Sequence, residues 1–194
     1  LAFRLGVVNK SLFERLIVGD YDGDGTDDLF GFPGLVQSGP WLGHLTSSIT
    51  NEVIIPEFLY SSYNLSPFRV GDLNDDGYDD FAAQVGSSIK VYYGSSKVTF
   101  DPEAPGIVID QGLDLPENLS VLAVMSATGG DFNGDGRMDL AVGRSSLAIE
   151  GSEDERGQVF VFYSIAERAN GQGGQLDLPD ADFVLRGQFE QDRF

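Results

Sequence analysis

Three stretches of this chain, 20–28, 72–80 and 131–139, align without gaps and place carboxylates and amides at alternate positions of a short glycine-containing loop. Counting the first Asp as position 1, that position is Asp20, Asp72 or Asp131, and position 3 is Asp22, Asn74 or Asn133. Position 5 is Asp24, Asp76 or Asp135, position 6 is Gly25, Gly77 or Gly136, and position 9 is Asp28, Asp80 or Asp139. A hard divalent cation such as Ca2+ takes six to eight oxygen ligands, and alternate residues of one tight loop turn their oxygens to one side. Positions 1, 3 and 5 therefore supply side-chain oxygens, and position 9 closes the set. Position 7 offers a backbone carbonyl, and its varied side chains (Thr26, Tyr78 and Arg137) suit that role. Glycine at position 6 permits the sharp turn over the ion. Without a cation the clustered carboxylates repel one another and raise each other's pKa. The pattern predicts about three calcium ions, one per loop.

Other chemistries that use such residues fit less well. A series of ordinary Asp-Gly turns does not account for three gapless copies. An EF-hand loop needs a bidentate Glu at position 12 and flanking helices; here position 12 is Gly31, Ala83 or Val142. The Gly-Gly-x-Gly-x-Asp nonapeptide pattern fails at this spacing. Paired carboxylates also serve glycosidases, but an active site occurs once and these loops recur. Loop 1 offers four side-chain carboxylates where loops 2 and 3 carry Asn at position 3, so loop 1 is expected to hold calcium longest.

The loops must be held by elements of matching period. They begin at residues 20, 72 and 131, a spacing that means a solenoid, propeller or array. Short apolar runs flank them: Leu16–Val18 and Phe68–Val70 before, and Leu29–Phe30, Phe81–Val85 and Leu140–Val142 after. Further β-branched and aromatic runs at Ile89–Tyr93 and Gln158–Tyr163, with outer strands at Val53–Ile55, Ile107–Ile109 and Phe183–Leu185, bring each unit to about four strands. No amphipathic helix stands out, and Ser164–Ala169 reads as one turn at most. The expected fold is all-β: β-propeller blades of about four antiparallel strands with calcium-binding loops. The units run roughly 1–50, 51–104 and 105–180, with a further one starting at 181–194. Propellers close with four to eight blades, so about three imply completion by residues of a longer chain or by another copy.

Composition narrows the function. The 31 acidic and 12 basic side chains give a formal charge of −19, which repels nucleic acid and anionic membranes and favours cations. Thirteen of the acids fall within the three nine-residue loops, so the charge is placed rather than spread. Cysteine is absent, which excludes disulfides and thiolate chemistry. No apolar run is long enough to span a bilayer, and residues 1–8 carry Arg4 without a small-residue cleavage pattern. The chain reads as a segment of a longer protein.

The Gly-Asp-apolar-Asn-x-Asp-Gly-x-x-Asp-apolar loops, with Gly157-Gln158-Val159-Phe160-Val161-Phe162 as a following strand, resemble the FG-GAP repeat of integrin α-subunit propellers and related bacterial proteins. The resemblance covers almost the whole chain. It implies one calcium ion per loop, held between adjacent strands of a blade by Asp20, Asp22, Asp24 and Asp28; by Asp72, Asn74, Asp76 and Asp80; and by Asp131, Asn133, Asp135 and Asp139. The Gly-Ala-Pro signature is present only as Gly31-Phe32-Pro33, and the Phe-Gly signature only as Tyr63-Asn64. Phe194 reads as the start of another. An integrin-type ligand site is therefore not implied.

No catalytic set emerges. His44, the single histidine, lacks a Gly-x-Ser-x-Gly elbow and reads as a surface or packing residue. Trp41 reads as a strand-packing residue and 150–156 as a solvated hairpin tip. Asn9, Asn64 and Asn118 head chance-level glycosylation sequons. The expected function is a non-enzymatic, extracellular or cell-surface binding module for adhesion or protein–protein contact, with calcium structural and its protein or glycan ligand unknown. A lectin-like propeller and an accessory domain of a secreted enzyme are the alternatives.

Overall fold

A computed structural model describes residues 16–31, 35–37, 67–96, 104–111, 125–145, 157–171 and 174–187 of the chain. Strands dominate, and among the described residues they form three sheets. The first runs β1 (Leu16–Gly19), β2 (Asp28–Gly31) and β3 (Leu35–Gln37) in spatial order. The second contains β4 (Pro67–Gly71), β5 (Asp80–Val85), β6 (Ser88–Tyr92) and β7 (Ile107–Asp110), each antiparallel to the next. The third begins with β8 (Met125–Gly130), β9 (Asp139–Arg144) and β10 (Gln158–Phe162). Helix α1 (Ile165–Gly171), β11 (Gln175–Asp177) and a 3-10 turn at Leu178–Asp180 then precede β12 (Phe183–Arg186), which pairs antiparallel with β10. These are successive blades of up-and-down strands, and among the described residues they are not closed into a ring.

Burial follows strand position. The interior strand β5 buries four residues in a row, Asp80 to Ala83, because both of its faces are covered. The outer strand β7 buries only the alternate residues Ile107 and Ile109. Val85 pairs directly with Ser88, so Gly86 and Ser87 form a two-residue hairpin turn. Blades 2 and 3 share one apolar core. Val70, Ile89, Val91, Ile107 and Ile109 from the second join Met125, Leu140, Val142, Phe160 and Phe162 from the third, together with Ile165 and Ala169 of α1.

First strands lie side by side, β1 against β4 and β4 against β8, as the inner strands of neighbouring blades must. In loop 1 the aromatic residue at position 2 plugs the seam to the following blade. Tyr21 is fully buried, edge-on to Phe81 of blade 2 with ring centroids 6.5 Å apart, and Phe81 in turn stacks on Tyr92 at 5.1 Å. Leu73 is 4% exposed, whereas Phe132, the same position in the third loop, is 49% exposed.

Several expectations change. The divisions between blades fall one strand later than residues 105 and 181, because Ile107–Asp110 completes the second sheet and Phe183–Arg186 the third. The segment read as a single turn is a seven-residue helix that buries Ile165, Ala166 and Ala169 on the blade core. Pairing is not wholly antiparallel: β11 leaves blade 3 and adds to β7 of blade 2 in parallel, Gln175 opposite Val108 and Asp177 opposite Asp110. The proposed strand Val53–Ile55, Trp41, His44, Pro33, Tyr63, Phe194, the three sequons and 150–156 lie outside the described residues.

Candidate metal centres

Each acidic loop is the hairpin connection between the first and second strands of its sheet. The residue before position 1 pairs with position 9 in all three: Gly19 opposite Asp28, Gly71 opposite Asp80 and Gly130 opposite Asp139. Strand register, not the loop alone, therefore returns the ninth-position carboxylate to the side of the first. In loop 1 ligand oxygens of Asp20, Asp22 and Asp28 lie within 4.8 Å of one another, and Asp24 stands outside this trio.

Within each loop the side chains fold the backbone around themselves. Asp20 accepts from the N–H groups of Asp24 at 3.0 Å and Gly25 at 2.8 Å. Asp72 accepts likewise from Asp76 at 3.1 Å and Gly77 at 2.8 Å, and Asp131 from Asp135 at 3.1 Å and Gly136 at 3.0 Å. Position 3 accepts from the position-5 N–H in every loop, and position 5 from the position-7 N–H. The Asn74 and Asn133 amides also donate to Asp76 and Asp135, each at 2.9 Å, an exchange that Asp22 cannot make. Asp135 accordingly sits below the ordinary carboxylate range, held there first by Asn133 and then by the Arg137 N–H.

This folding needs two left-handed residues per loop. Position 6 has φ of 83°, 89° and 84° at Gly25, Gly77 and Gly136. Position 4 needs it too, at Gly23, Asp75 and Gly134, with φ 72°, 59° and 79°. The residue types at position 4 carried the signal, since Gly and Asp are among the few that tolerate this region.

The ninth-position aspartates are fully buried. One oxygen of each accepts the position-2 N–H: Tyr21 to Asp28 at 2.9 Å, Leu73 to Asp80 at 2.8 Å and Phe132 to Asp139 at 2.9 Å. The other oxygen of Asp80 takes the Gly94 N–H at 2.8 Å, and that of Asp139 the Ser164 N–H at 2.9 Å. Gly94 and Ser164 both lie just past the third strand of their blade. In loops 2 and 3 position 9 thus ties the loop to the chain leaving the third strand of its own blade.

Burial pushes Asp80 up to about 7; the Gly94 and Leu73 N–H bonds pull against it, and the carboxylates of Asp76 and Asp72 add to the rise. An acid whose pKa is higher folded than unfolded binds more protons in the native state between the two values, so stability falls as pH rises through that window. In excess chelator the melting temperature is therefore expected to fall from pH 4 towards pH 7 more steeply in the parent than in Asp80→Asn. Equal slopes in a thermal melt series would show that Asp80 does not contribute.

The donor set, carboxylate and amide oxygens with no nitrogen or sulfur, suits a hard cation. Buried aspartates and several carboxylates within a few ångströms match a site that a cation would neutralise. Loop 3 is the least acidic, with three aspartates against five in each of the others, and it includes Arg137, which is ion-paired with Glu167 of α1.

The blades and their acidic hairpin loops define a β-propeller repeat module. Residues 72–142 match the family model of the FG-GAP-like repeat, and residues 123–162 that of the FG-GAP repeat. Together the two matches support FG-GAP-type repeats over residues 72–162. Loop 1 precedes the matched span and joins it through the same nine-residue pattern. No curated protein matches the chain.

Proposed function

We propose that the chain is a calcium-binding propeller module of an extracellular or cell-surface protein, in which calcium is structural and the blades present a binding surface for adhesion or protein–protein contact. The observation that carries this is the register of the three hairpins, which brings position 9 beside position 1 in each, with the oxygens of Asp20, Asp22 and Asp28 gathered in loop 1. Side chains at positions 1, 3, 5 and 9 would hold the ion, with the carbonyls of Thr26, Tyr78 and Arg137 beside them. The ion supplies charge compensation and a cross-link between the two strands of the hairpin. The recurrence of one site on three blades supports a structural role for the metal.

Calorimetric titration of chelator-treated protein with calcium is expected to give about three bound ions per chain, with about one lost in each of Asp24→Ala, Asp76→Ala and Asp135→Ala. Absence of binding at millimolar calcium would end the metal reading. Probing arrays of extracellular proteins and of glycans with the loaded chain then tests the binding role. Calcium-dependent capture by proteins supports it, and capture by glycans alone favours the lectin alternative.

A further inference from the structure

The loops are not isolated from one another, because the second half of loop 2 is braced against the first half of loop 1. The position-8 residue Asp79 grips the peptide of Asp20 from both sides. Its N–H donates to the Asp20 carbonyl at 2.8 Å, and its carboxylate accepts from the Asp20 N–H at 3.1 Å. The same Asp79 oxygen is ion-paired with Arg69 of β4 at 3.0 Å. The contact is close: a methyl group on Gly19 would stand 2.4 Å from that oxygen. The ring of Tyr78, at position 7, lies beside Gly23 of loop 1, and the Ser95 N–H donates to the Tyr21 carbonyl at 3.2 Å.

Asp79 is flanked by two residues that would face an ion in loop 2: Tyr78 through its carbonyl and Asp80 through its carboxylate. An ion that fixes positions 7 and 9 fixes the residue between them. Asp79 in turn fixes the backbone of Asp20, whose carboxylate organises loop 1 through Asp24 and Gly25. Coupling of this kind runs through contiguous contacts and is a difference in binding free energy at one site set by the state of the other. The seam between loops 2 and 3 is built differently. There position 8 is Met138, whose methyl group packs near Gly71 and offers no carboxylate acceptor to the preceding loop's backbone.

Resting on the calcium reading above, we infer that Asp79 is a positioning residue that couples the first two loops, so that calcium in loop 2 tightens calcium binding in loop 1 while loop 3 binds nearly independently.

Calcium titration followed by the NMR amide signals of Gly25, Gly77 and Gly136 reads each loop separately. Emptying loop 2 with Asp76→Ala is expected to weaken loop 1 by at least about fivefold and loop 3 by less than about twofold, within the usual range of coupling between sites. In the Asp79→Ala background, Asp76→Ala is expected to leave loop 1 unchanged. Gly19→Ala, which crowds the same carboxylate without altering any residue of loop 2, should reproduce the uncoupling and serves if Asp79→Ala folds poorly. Loops 1 and 2 that both bind calcium, with loop 1 indifferent to Asp76→Ala, would overturn the coupling and leave the calcium reading standing. No calcium-dependent shift at any of the three glycines would overturn both.

Discussion

Excess chelator is expected to lower the melting temperature of this protein by on the order of 20 °C relative to millimolar calcium. A ligand that binds only the folded state at a hundredfold above its dissociation constant contributes roughly 2.7 kcal/mol, and three independent sites about 8 kcal/mol. For a chain of this size each kcal/mol moves the midpoint by about 2–4 °C. Such a contribution rivals the whole stability of an ordinary domain. Its source is local: a formal charge of −19 with thirteen acids gathered in three loops, whose mutual repulsion a divalent ion relieves where it is worst. Asp76→Ala should lose at least about a third of the calcium response while changing little in chelator, because its carboxylate otherwise accepts only the exposed hydrogen bonds from the Asn74 amide and the Tyr78 N–H. Scanning calorimetry with and without calcium decides the matter. An unchanged midpoint on chelation, or a full response retained by Asp76→Ala, would refute a structural role for the ion.

Asp139→Ala should behave differently and destabilise the protein with or without calcium. Asp139 is fully buried and joins two backbone donors, Phe132 in loop 3 and Ser164 at the start of α1. Its removal leaves both N–H groups short of an acceptor, at about 1–3 kcal/mol each, so a loss of about 2–5 kcal/mol is expected in chelator alone. Ser164 adopts φ 46°, a conformation its side chain does not favour, and the Asp139 bond is one of the contacts that hold it. Urea denaturation in chelator measures the effect. A change under about 1 kcal/mol would mean that Asp139 matters only as a metal ligand.

The contrast between these two residues shows what could be read from the chain and what could not. The loops and their flanking strands were legible because their information is local. Alternating oxygens, glycine at position 6 and β-branched runs on either side lie within a few residues of each other. Position 9 was legible as a ligand but not as a clamp, because Gly94 and Ser164 lie 14 and 25 residues away. Position 8 gave no signal, since it reads Asp27, Asp79 and Met138, and the partner of Asp79 is 59 residues distant. Helix α1 is not legible although Ile165, Ala166 and Ala169 lie on one helical face, because a seven-residue helix is only about two turns and too short for a periodic pattern. The blade divisions read from the sequence fall one strand early because an outer strand such as Ile107–Asp110 carries no mark of which sheet it completes.

The parallel pairing of β11 with β7 has a consequence for how this protein is made. Strand β7 ends at Asp110, and its outer neighbour starts at Gln175. A ribosome adding about 5–20 residues per second needs several seconds to produce what lies between. During that interval the second blade has its four antiparallel strands but an uncovered backbone edge at Ile107–Asp110, the kind of edge to which a neighbouring nascent chain can add itself. Completion of blade 2 therefore waits on the synthesis of blade 3, and the edge is covered only when Gln175, Leu176 and Asp177 arrive.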